Sequence, residues 1–374
     1  MKETGTERIL ITGAHGFIGR NVGCWLQEKI GAEILEFVRG DSVVDLERLV
    51  LQADKIVHLA GENRPSDAEA FNTGNIQLTR TLCNVVANSG LKIPLVFVSS
   101  SQAGLSNPYG QSKLAAEDLV RKFADKTKLP VTILRLPGIF GKWSRPNYNS
   151  VVATFCFNIA RGYEVEIHDK DASIELAYID DLNHDIIVAL SNETPGLSLG
   201  SLSKTYEITV GELAEQIHAF KRSRQTLVSQ RVGTGLIRAL YSTYVSFLPT
   251  EKFTYSLPKH GDERGIFVEM LKTPDCGQFS FFTLRSGLTR GSHYHHSKTE
   301  KFLVVNGIAR MRYRHLISQE IFEITVSGDN PEVVDTIPGW VHDIKNIGDS
   351  ELIVMLWANE IFDHESPDTI SQQV

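Results

Sequence analysis

From Arg8 to about Leu190 the chain alternates short apolar, β-branched runs with stretches of helical periodicity. RILIT, EILEFV, KIVHLA, LVFVSSS and LPVTILRL read as strands; NVGCWLQEKI, NIQLTRTLCNVVANSG and YGQSKLAAEDLVRKFADKT read as helices. Strands that are apolar on both sides must be covered on both faces, which predicts a parallel sheet between two layers of helix. The pattern then changes. The run LYSTYVSFLPTEKFTYSLPKHGDERG, from Leu240, is rich in aromatics, proline and glycine. After it come GIFVEMLK, QFSFFTL, EKFLVVNG, IARMRYRH, IFEITV, EVVDTI and ELIVMLW, short strands broken at regular intervals by turn residues. That spacing predicts a small all-β sandwich or barrel. The expected organisation is an α/β domain over 1–247 followed by an all-β domain over 248–374.

The bulk properties exclude more than they identify. A length of 374 residues accommodates two ordinary domains, and a net charge of −7 argues against nucleic acid or an anionic membrane as the main partner. No run approaches the ~18–20 apolar residues of a membrane span, and MKETGTERILITGAHGFIG lacks the long apolar core of a signal peptide. Cys24, Cys83, Cys156 and Cys276 are scattered without paired spacing, so no disulfide framework is expected. A reducing, cytoplasmic home fits these features.

LITGAHGFIGRNV sets Gly13, Gly16 and Gly19 where the first strand meets the first helix. Glycines there let the backbone turn tightly and bring its N–H groups to a pyrophosphate at the helix N-terminus. The spacing is G-x-x-G-x-x-G, and at the start of a βαβ pattern it points to a nucleotide. The second strand runs into EFVRGDS. Folds that take NAD usually hold Asp or Glu at this strand end, against the ribose 2′-hydroxyl; Arg39 stands here instead, and its guanidinium favours the 2′-phosphate of NADPH. Asp41 is close enough to blunt that preference, and a solvated Arg39 is the plainer alternative. Asp45 and Leu46 suit either an adenine border or the start of an ordinary helix.

VFVSSSQAGLSNPYGQSK carries Ser99, Ser100 and Ser101 at a strand end, then Tyr109 and Lys113. Four residues apart, Tyr109 and Lys113 share one helical face. An ammonium beside a phenol favours phenolate, which lowers the phenol pKa. Such a tyrosine can exchange a proton with a carbonyl oxygen while hydride moves to its carbon, and a hydroxyl such as that of Ser101 can hold the same oxygen.

With TGAHGFIG, HLAG at 58–61, SSS and YGQSK in order, residues 8 to about 240 resemble the extended short-chain dehydrogenase/reductase family. The resemblance implies a Rossmann fold, Tyr109 as general acid, Lys113 as pKa modifier and ribose ligand, and Ser101, or else Ser100, as third catalytic group. It implies that Thr12, Gly13, His15, Gly16, Phe17, Ile18 and Gly19, with Arg39, Leu59, Ala60, Gly61, Lys113 and Pro137, surround the cofactor. Members of this family commonly act on nucleotide sugars. RLPGIFGKW at 135–143 resembles the segment that passes the nicotinamide, and RPNYNSVVATFCFNIARG the start of the substrate lobe. Arg145, Tyr148 and Asn149 are its candidate substrate contacts, with structural roles as the alternative.

The second half carries a different chemistry. Gly287, His293, His295, Glu300 and Gly307 form the pattern G-x5-H-x-H-x4-E-x6-G, and IPGWVHDIKN later supplies His342. His293 and His295, two apart on a strand, face the same way. Three imidazoles and a carboxylate suit a divalent metal, Zn²⁺ first, with Mn, Fe or Ni as alternatives. His296 should point the other way, toward a structural or rim role. Residues 260–365 resemble the cupin family, which implies a double-stranded β-helix barrel with its site in the mouth. The second cupin motif departs from the family, with Pro338 and Gly339 adjacent.

DERGIFVE at 262–269, LTRGSHYHH and EKFLVV further resemble the sugar-nucleotide 3,5-epimerase branch of such barrels. That branch implies a basic histidine at the place of His293, which the metal motif also claims, and an enolate-steadying lysine at Lys301. Arg290 is its candidate diphosphate ligand, with a bidentate fork. A metal could polarise a C4 ketone and make the C3 proton removable.

The combined chain resembles the CapF-type family of bifunctional enzymes of bacterial capsule and O-antigen synthesis, on NPYG, KW…PNYNSV.ATFC, LYSTY, DERG and EKFLVV. This implies a UDP-2-acetamido-2,6-dideoxy-4-keto-hexose as substrate. The cupin would epimerise C3, and the reductase would reduce C4 with NADPH to UDP-N-acetyl-L-talosamine, precursor of UDP-N-acetyl-L-fucosamine. Members of both families usually associate, which implies a homodimer. Two other readings are a monofunctional 4-keto sugar nucleotide reductase with a structural, dimerising cupin, and a nucleotide-sensing regulator; an intact Ser–Tyr–Lys set argues against the latter, since a sensor needs no proton donor.

Overall fold

The computed structural model describes residues 6–65, 67, 69–257, 260–262, 265–267, 271, 277–360 and 365–374. Much of the DERGIFVE segment, and Cys276, lie outside them. Two compact units form, Met1–Ile139 with Glu175–Glu207 and Phe140–Ile174 with Ile208–Val374.

The first unit is built on a parallel sheet of β1 (Arg8–Thr12), β2 (Glu33–Phe37), β3 (Lys55–His58), β4 (Leu95–Ser100), β5 (Pro130–Leu136) and the strand Gly196–Gly200, in the order β2-β1-β3-β4-β5 and then Gly196–Gly200. β4 is buried along its whole length, as its unbroken apolar run requires. Helices α1 (Phe17–Ile30) and α2 (Val43–Val50) follow β1 and β2. On one face Leu46 and Val50 of α2, Leu82 and Val86 of helix Leu78–Ser89, and Val120 and Phe123 of helix Pro108–Thr127 close over Leu10, Ile56, Phe97 and Ile133. Each such side chain contributes roughly 1.5–3 kcal/mol on burial. The strand order reverses about β1, where β2 and β3 run off to opposite sides. Ligands of open α/β sheets bind at the carboxyl ends of strands at such a switch point.

The second unit holds the helices Val151–Arg161, Val210–Thr226 and Gly235–Ser246, which pack on one another, together with the β-strands of the second half. The aromatic run from Leu240 begins inside the last of these helices. Leu240, Tyr241, Tyr244 and Val245 are buried, and the Phe220 and Tyr241 rings meet at 5.1 Å. Two five-stranded antiparallel sheets follow. One orders Thr254–Ser256, Glu332–Asp335, Glu300–Asn306, Leu352–Ala358 and Gln278–Leu284; the other orders Ile321–Ser327, Ile308–His315, Trp340–Asn346, Thr289–Tyr294 and Ile370–Ser371. This is the cupin-type barrel expected. Among the described residues Cys24, Cys83 and Cys156 form no disulfide, and no helix is long and apolar enough to cross a membrane.

Candidate active site and metal centre

At the switch point lies a cleft of about 530 Å³, lined by Gly13, His15 and Gly16 after β1, Phe37–Asp41 after β2 and Leu59–Glu62 after β3. Gly13 has φ +73, and a Cβ there would stand 2.9 Å from the Ala60 backbone; a Cβ on Gly19 would stand 2.3 Å from the Gly13 carbonyl. Only glycine fits either place. Helix α1 opens at Gly16 with no side-chain cap and no acid in its first turn, so its N-terminal dipole faces the cleft unneutralised. Helix α2 is closed instead by a capping box between Ser42 and Asp45, and Leu46 is fully buried, so these two residues begin an ordinary helix.

Of the expected cofactor residues, Gly13, His15, Gly16, Arg39, Leu59, Ala60 and Gly61 line the cleft. Arg39 reaches out from the end of β2 and pairs with Glu62. Phe17 and Ile18 are half-buried in the first turn of α1, and Pro137 is half-buried directly after β5. Thr12 turns inward: its hydroxyl contacts His58 Nδ1 at 2.6 Å and accepts from Ala60 N–H at 3.2 Å. It ties β1 to β3, and any effect on a cofactor is indirect. Burial holds the His58 imidazole neutral, with its pKa down to about 3.

The helix Pro108–Thr127 starts as NPYG dictates, with Asn107 as N-cap accepting from Gly110 N–H at 2.8 Å and Pro108 in the first position. Tyr109 therefore sits in the first turn and Lys113 one turn on. Of the two candidate serines, Ser100 is the one whose hydroxyl acts on the Tyr109 phenol, lowering its pKa. β4 ends at Ser100; the Ser101 N–H bonds Leu136 O at 2.8 Å while its side chain is exposed. The phenol pKa also departs from expectation. Burial raises it, with the Ser100 hydrogen bond opposing, so the phenol stays protonated through the physiological range. Lys113 is buried, donates to Val98 O at 3.2 Å and stands 5.7 Å from the Phe97 ring centre. Burial lowers its pKa to about 8, against the pull of Glu117.

Asn75 and Glu117 escaped the sequence reading here. Asn75, buried in a π-helical segment Asn72–Gln77, donates to Glu62 O and Ser112 Oγ and accepts from Glu62 N–H. It lies so close to Gly61 that a Cβ there would be 2.7 Å from its Oδ1. Glu117 is fully buried one turn beyond Lys113 and receives a two-pronged bond from Arg135 at 2.8 Å on each oxygen. The i, i+4, i+8 spacing of Tyr109, Lys113 and Glu117 was the available signal.

Arg145, Tyr148 and Asn149 lie in the second unit, in the loop before helix Val151–Arg161. The Arg145 guanidinium covers the Tyr148 ring at 4.9 Å, and Asn149 is exposed.

In the barrel, His293, His295, Glu300 and His342 converge, with one ligand atom from each within 4.8 Å of all the others. His293 and His342 are cross-strand partners, and a bulge at Ser292 (φ +58) adjusts the strand just before His293. Glu300 enters from the facing sheet. His295 Nε2 stands 3.2 Å and His342 Nε2 3.7 Å from Glu300 Oε2. The His293 pKa is lowered to about 3, by burial first and then by His342 and His295; His342 is lowered by burial. Glu300 stays well below the ordinary carboxylate range: burial opposes ionisation, and the charge and hydrogen bond of His295 outweigh it. The buried His342 Nε2 has no hydrogen-bond partner. Three imidazoles, one of them with an orphaned nitrogen, and an ionised carboxylate fit a divalent cation. Gly339 explains the irregular second motif: at φ +80 its N–H donates to His295 O at 3.0 Å, so the Pro338–Gly339 turn braces a candidate ligand. His296 is buried beside the Tyr294 ring and outside the cluster.

Lys301 is not in this site, contrary to expectation. It follows Glu300 on a strand, so it faces the opposite side. There its ammonium pairs with Asp335 at 2.5 Å and stands 5.4 Å from the Tyr255 ring centre. The lysine beside the cluster is Lys298, buried and 3.0 Å from Glu300 Oε1. Arg290 is exposed and its guanidinium lies 5.2 Å from the Phe282 ring centre.

The NAD dependent epimerase/dehydratase family matches residues 9–200, and the polysaccharide biosynthesis C-terminal domain matches residues 260–370. The chain is 50% identical over 367 residues to the UDP-2-acetamido-2,6-beta-L-arabino-hexul-4-ose reductase of Pseudomonas aeruginosa, covering 98% of this chain and 99% of that protein. It is 40% identical to the capsular polysaccharide assembling protein CapF of Staphylococcus aureus, whose crystal structure matches with a TM-score of 0.67 over 98% of this chain and 100% of that one. A crystal structure of CapF with the inhibitor 3-isopropenyl-tropolone matches at 37% identity and a TM-score of 0.62, with the same coverage. A glycine-lined cleft in one matched region, a histidine–glutamate cluster in the other and full-length likeness to these proteins lead to one assignment: the chain belongs to the CapF-type family of capsular polysaccharide enzymes.

Proposed function

We propose that the chain reduces the C4 ketone of a UDP-2-acetamido-2,6-dideoxy-4-keto-hexose with NADPH, giving UDP-N-acetyl-L-talosamine, and that the barrel first epimerises C3 of the same sugar. The observation that carries the reductase reading is the Ser100–Tyr109–Lys113 grouping at the carboxyl end of β4, in the unit that holds the glycine-lined cleft. The relative named as a reductase of a UDP-linked 4-ketose, matched end to end, supports it. NADPH, when bound, supplies the hydride. Gly13 and Gly16 admit its pyrophosphate to the N-terminus of α1. Arg39 would meet the 2′-phosphate, exchanging its ion pair with Glu62 for one with the phosphate. Ser100 holds the ketone oxygen, and the protonated Tyr109 delivers a proton to it as the alkoxide develops. Lys113, one turn away, offers its ammonium to the ribose and to the phenol's charge.

In the barrel, His293, His295, Glu300 and His342 would hold the metal, which when bound supplies a Lewis acid for the ketone. The epimerase reading loses Lys301, whose ammonium Asp335 holds on the other face of the strand. Lys298 is the cation beside the cluster and takes its place as the candidate for steadying an enolate. The position of Lys301 also favours a second reading, in which the barrel is structural and the chain only reduces.

NADPH consumption that depends on the UDP-4-keto sugar tests the reductase reading. Its pH profile adds a residue-level check. Lys113 is protonated below about pH 8. kcat/KM, which reports the free enzyme, is expected to fall as pH rises through about 8. A profile that stays level until phenols titrate would remove Lys113 from the reaction.

A further inference from the structure

One wall of the metal cluster is made by residues far along the chain. The strand Ile370–Ser371 pairs with Thr289–Tyr294, setting Ser371 opposite His293 and Ile370 opposite Tyr294. The Gln372 N–H donates to Ser292 O at 2.9 Å. Just before this strand Asp368 makes two kinds of contact. Its carboxylate accepts from the backbone N–H groups of His296 (2.8 Å), Ser297 (2.7 Å) and Lys298 (2.8 Å), and from the Ser297 hydroxyl (3.0 Å). Its backbone carbonyl oxygen lies 2.5 Å from His295 Nδ1.

A carbonyl can only accept, so Nδ1 of His295 carries a proton, and Nε2 is left as the nitrogen that a metal would take. Nε2 is the atom that faces Glu300. The three N–H groups gathered by the carboxylate belong to the turn joining His295 to Glu300. Asp368 thus fixes both the ring of one candidate ligand and the path of the chain to the next. Lys298 completes the arrangement, with Nζ 3.0 Å from Glu300 Oε1 and 3.4 Å from Thr369 Oγ1.

We propose that the segment around Asp368 is a strap that sets the tautomer and orientation of His295 and so sets the affinity of the barrel for its metal. Asp368 is a positioning residue here, acting through His295 and the 296–298 turn. The inference rests on the metal reading above. Partners that orient a ligating imidazole typically carry about 10–100-fold in metal affinity.

The test uses the full chain, Zn²⁺ alone and a competing chromophoric chelator. Two variants loosen the strap by different bonds. Asp368→Asn removes the charge that gathers the three N–H groups, and Gln372→Pro removes the N–H that pairs with Ser292. Both are expected to bind Zn²⁺ about 10–100-fold more weakly than wild type. The rise in Tm on adding Zn²⁺ should shrink in both variants. Wild-type affinity in both variants overturns the inference, as does a Tm loss that is equal with and without Zn²⁺ at unchanged affinity. A wild-type chain that takes up no Zn²⁺ overturns the metal reading and the inference with it.

Discussion

Tyr109→Phe is expected to lower kcat/KM for NADPH-driven ketone reduction by about 10²–10⁴-fold, the range typical of a positioned acid. The substitution keeps the ring that lies 6.1 Å from Phe71 and removes the hydroxyl bonded to Ser100. Because burial keeps that phenol protonated, its role in reduction is as donor, and phenylalanine has no proton to give. Zn²⁺ uptake should be unchanged, since Tyr109 is not among the residues of the metal cluster. Steady-state kinetics with a metal assay on the same sample checks both halves. A loss below about tenfold would mean that water or another group protonates the ketone.

The second large effect concerns stability. Asp335 accepts from Lys301 at 2.5 Å and from Arg224 at 2.9 Å, and both lysine and aspartate are buried. Burial alone would depress the Lys301 pKa, but the carboxylate outweighs it and holds the amine protonated. Asp335→Asn leaves two cations facing a neutral amide. Breaking a buried pair from one side costs about 3–5 kcal/mol, so urea unfolding of this variant should move far to lower concentration. Adding Lys301→Met should restore part of the loss, because the unpaired buried charge goes with it. A shift under about 1 kcal/mol would mean that the cluster is solvated. Lys301→Met alone separates the two accounts of this lysine. Lost C3 exchange at unchanged stability would return it to the epimerase chemistry that the alternation of the strand denies it.

The two architectures were legible because each rests on a local period. β1 coincides with RILIT, and the strands after residue 277 follow their alternating runs closely. The glycine positions were legible for a steric reason that any strand–helix turn imposes. The candidate metal quartet followed from motif spacing, and the structure brings its members together. The sequence left the answer open or hidden where it depended on a strand's last residue or on distant chain. Ser100 and Ser101 differ only in which one ends β4. Lys301 was placed by family resemblance, although the alternation applied to His296 would have turned it away from Glu300. The helix Gly235–Ser246 hid in aromatic and β-branched residues, which helices accept when tertiary packing rewards them. Asp368 left no trace in sequence, because it meets the histidine turn across 72 residues.

The most direct measurement is the NMR spectrum of the product formed from the UDP-4-keto sugar with NADPH in D₂O. Hydride from NADPH places protium at C4, and a proton exchanged in the barrel places deuterium at C3. The account predicts both in the product of the wild-type chain, with the C3 label disappearing in His295→Ala. A product reduced at C4 that keeps protium at C3 would contradict the epimerising barrel and leave the chain a reductase alone.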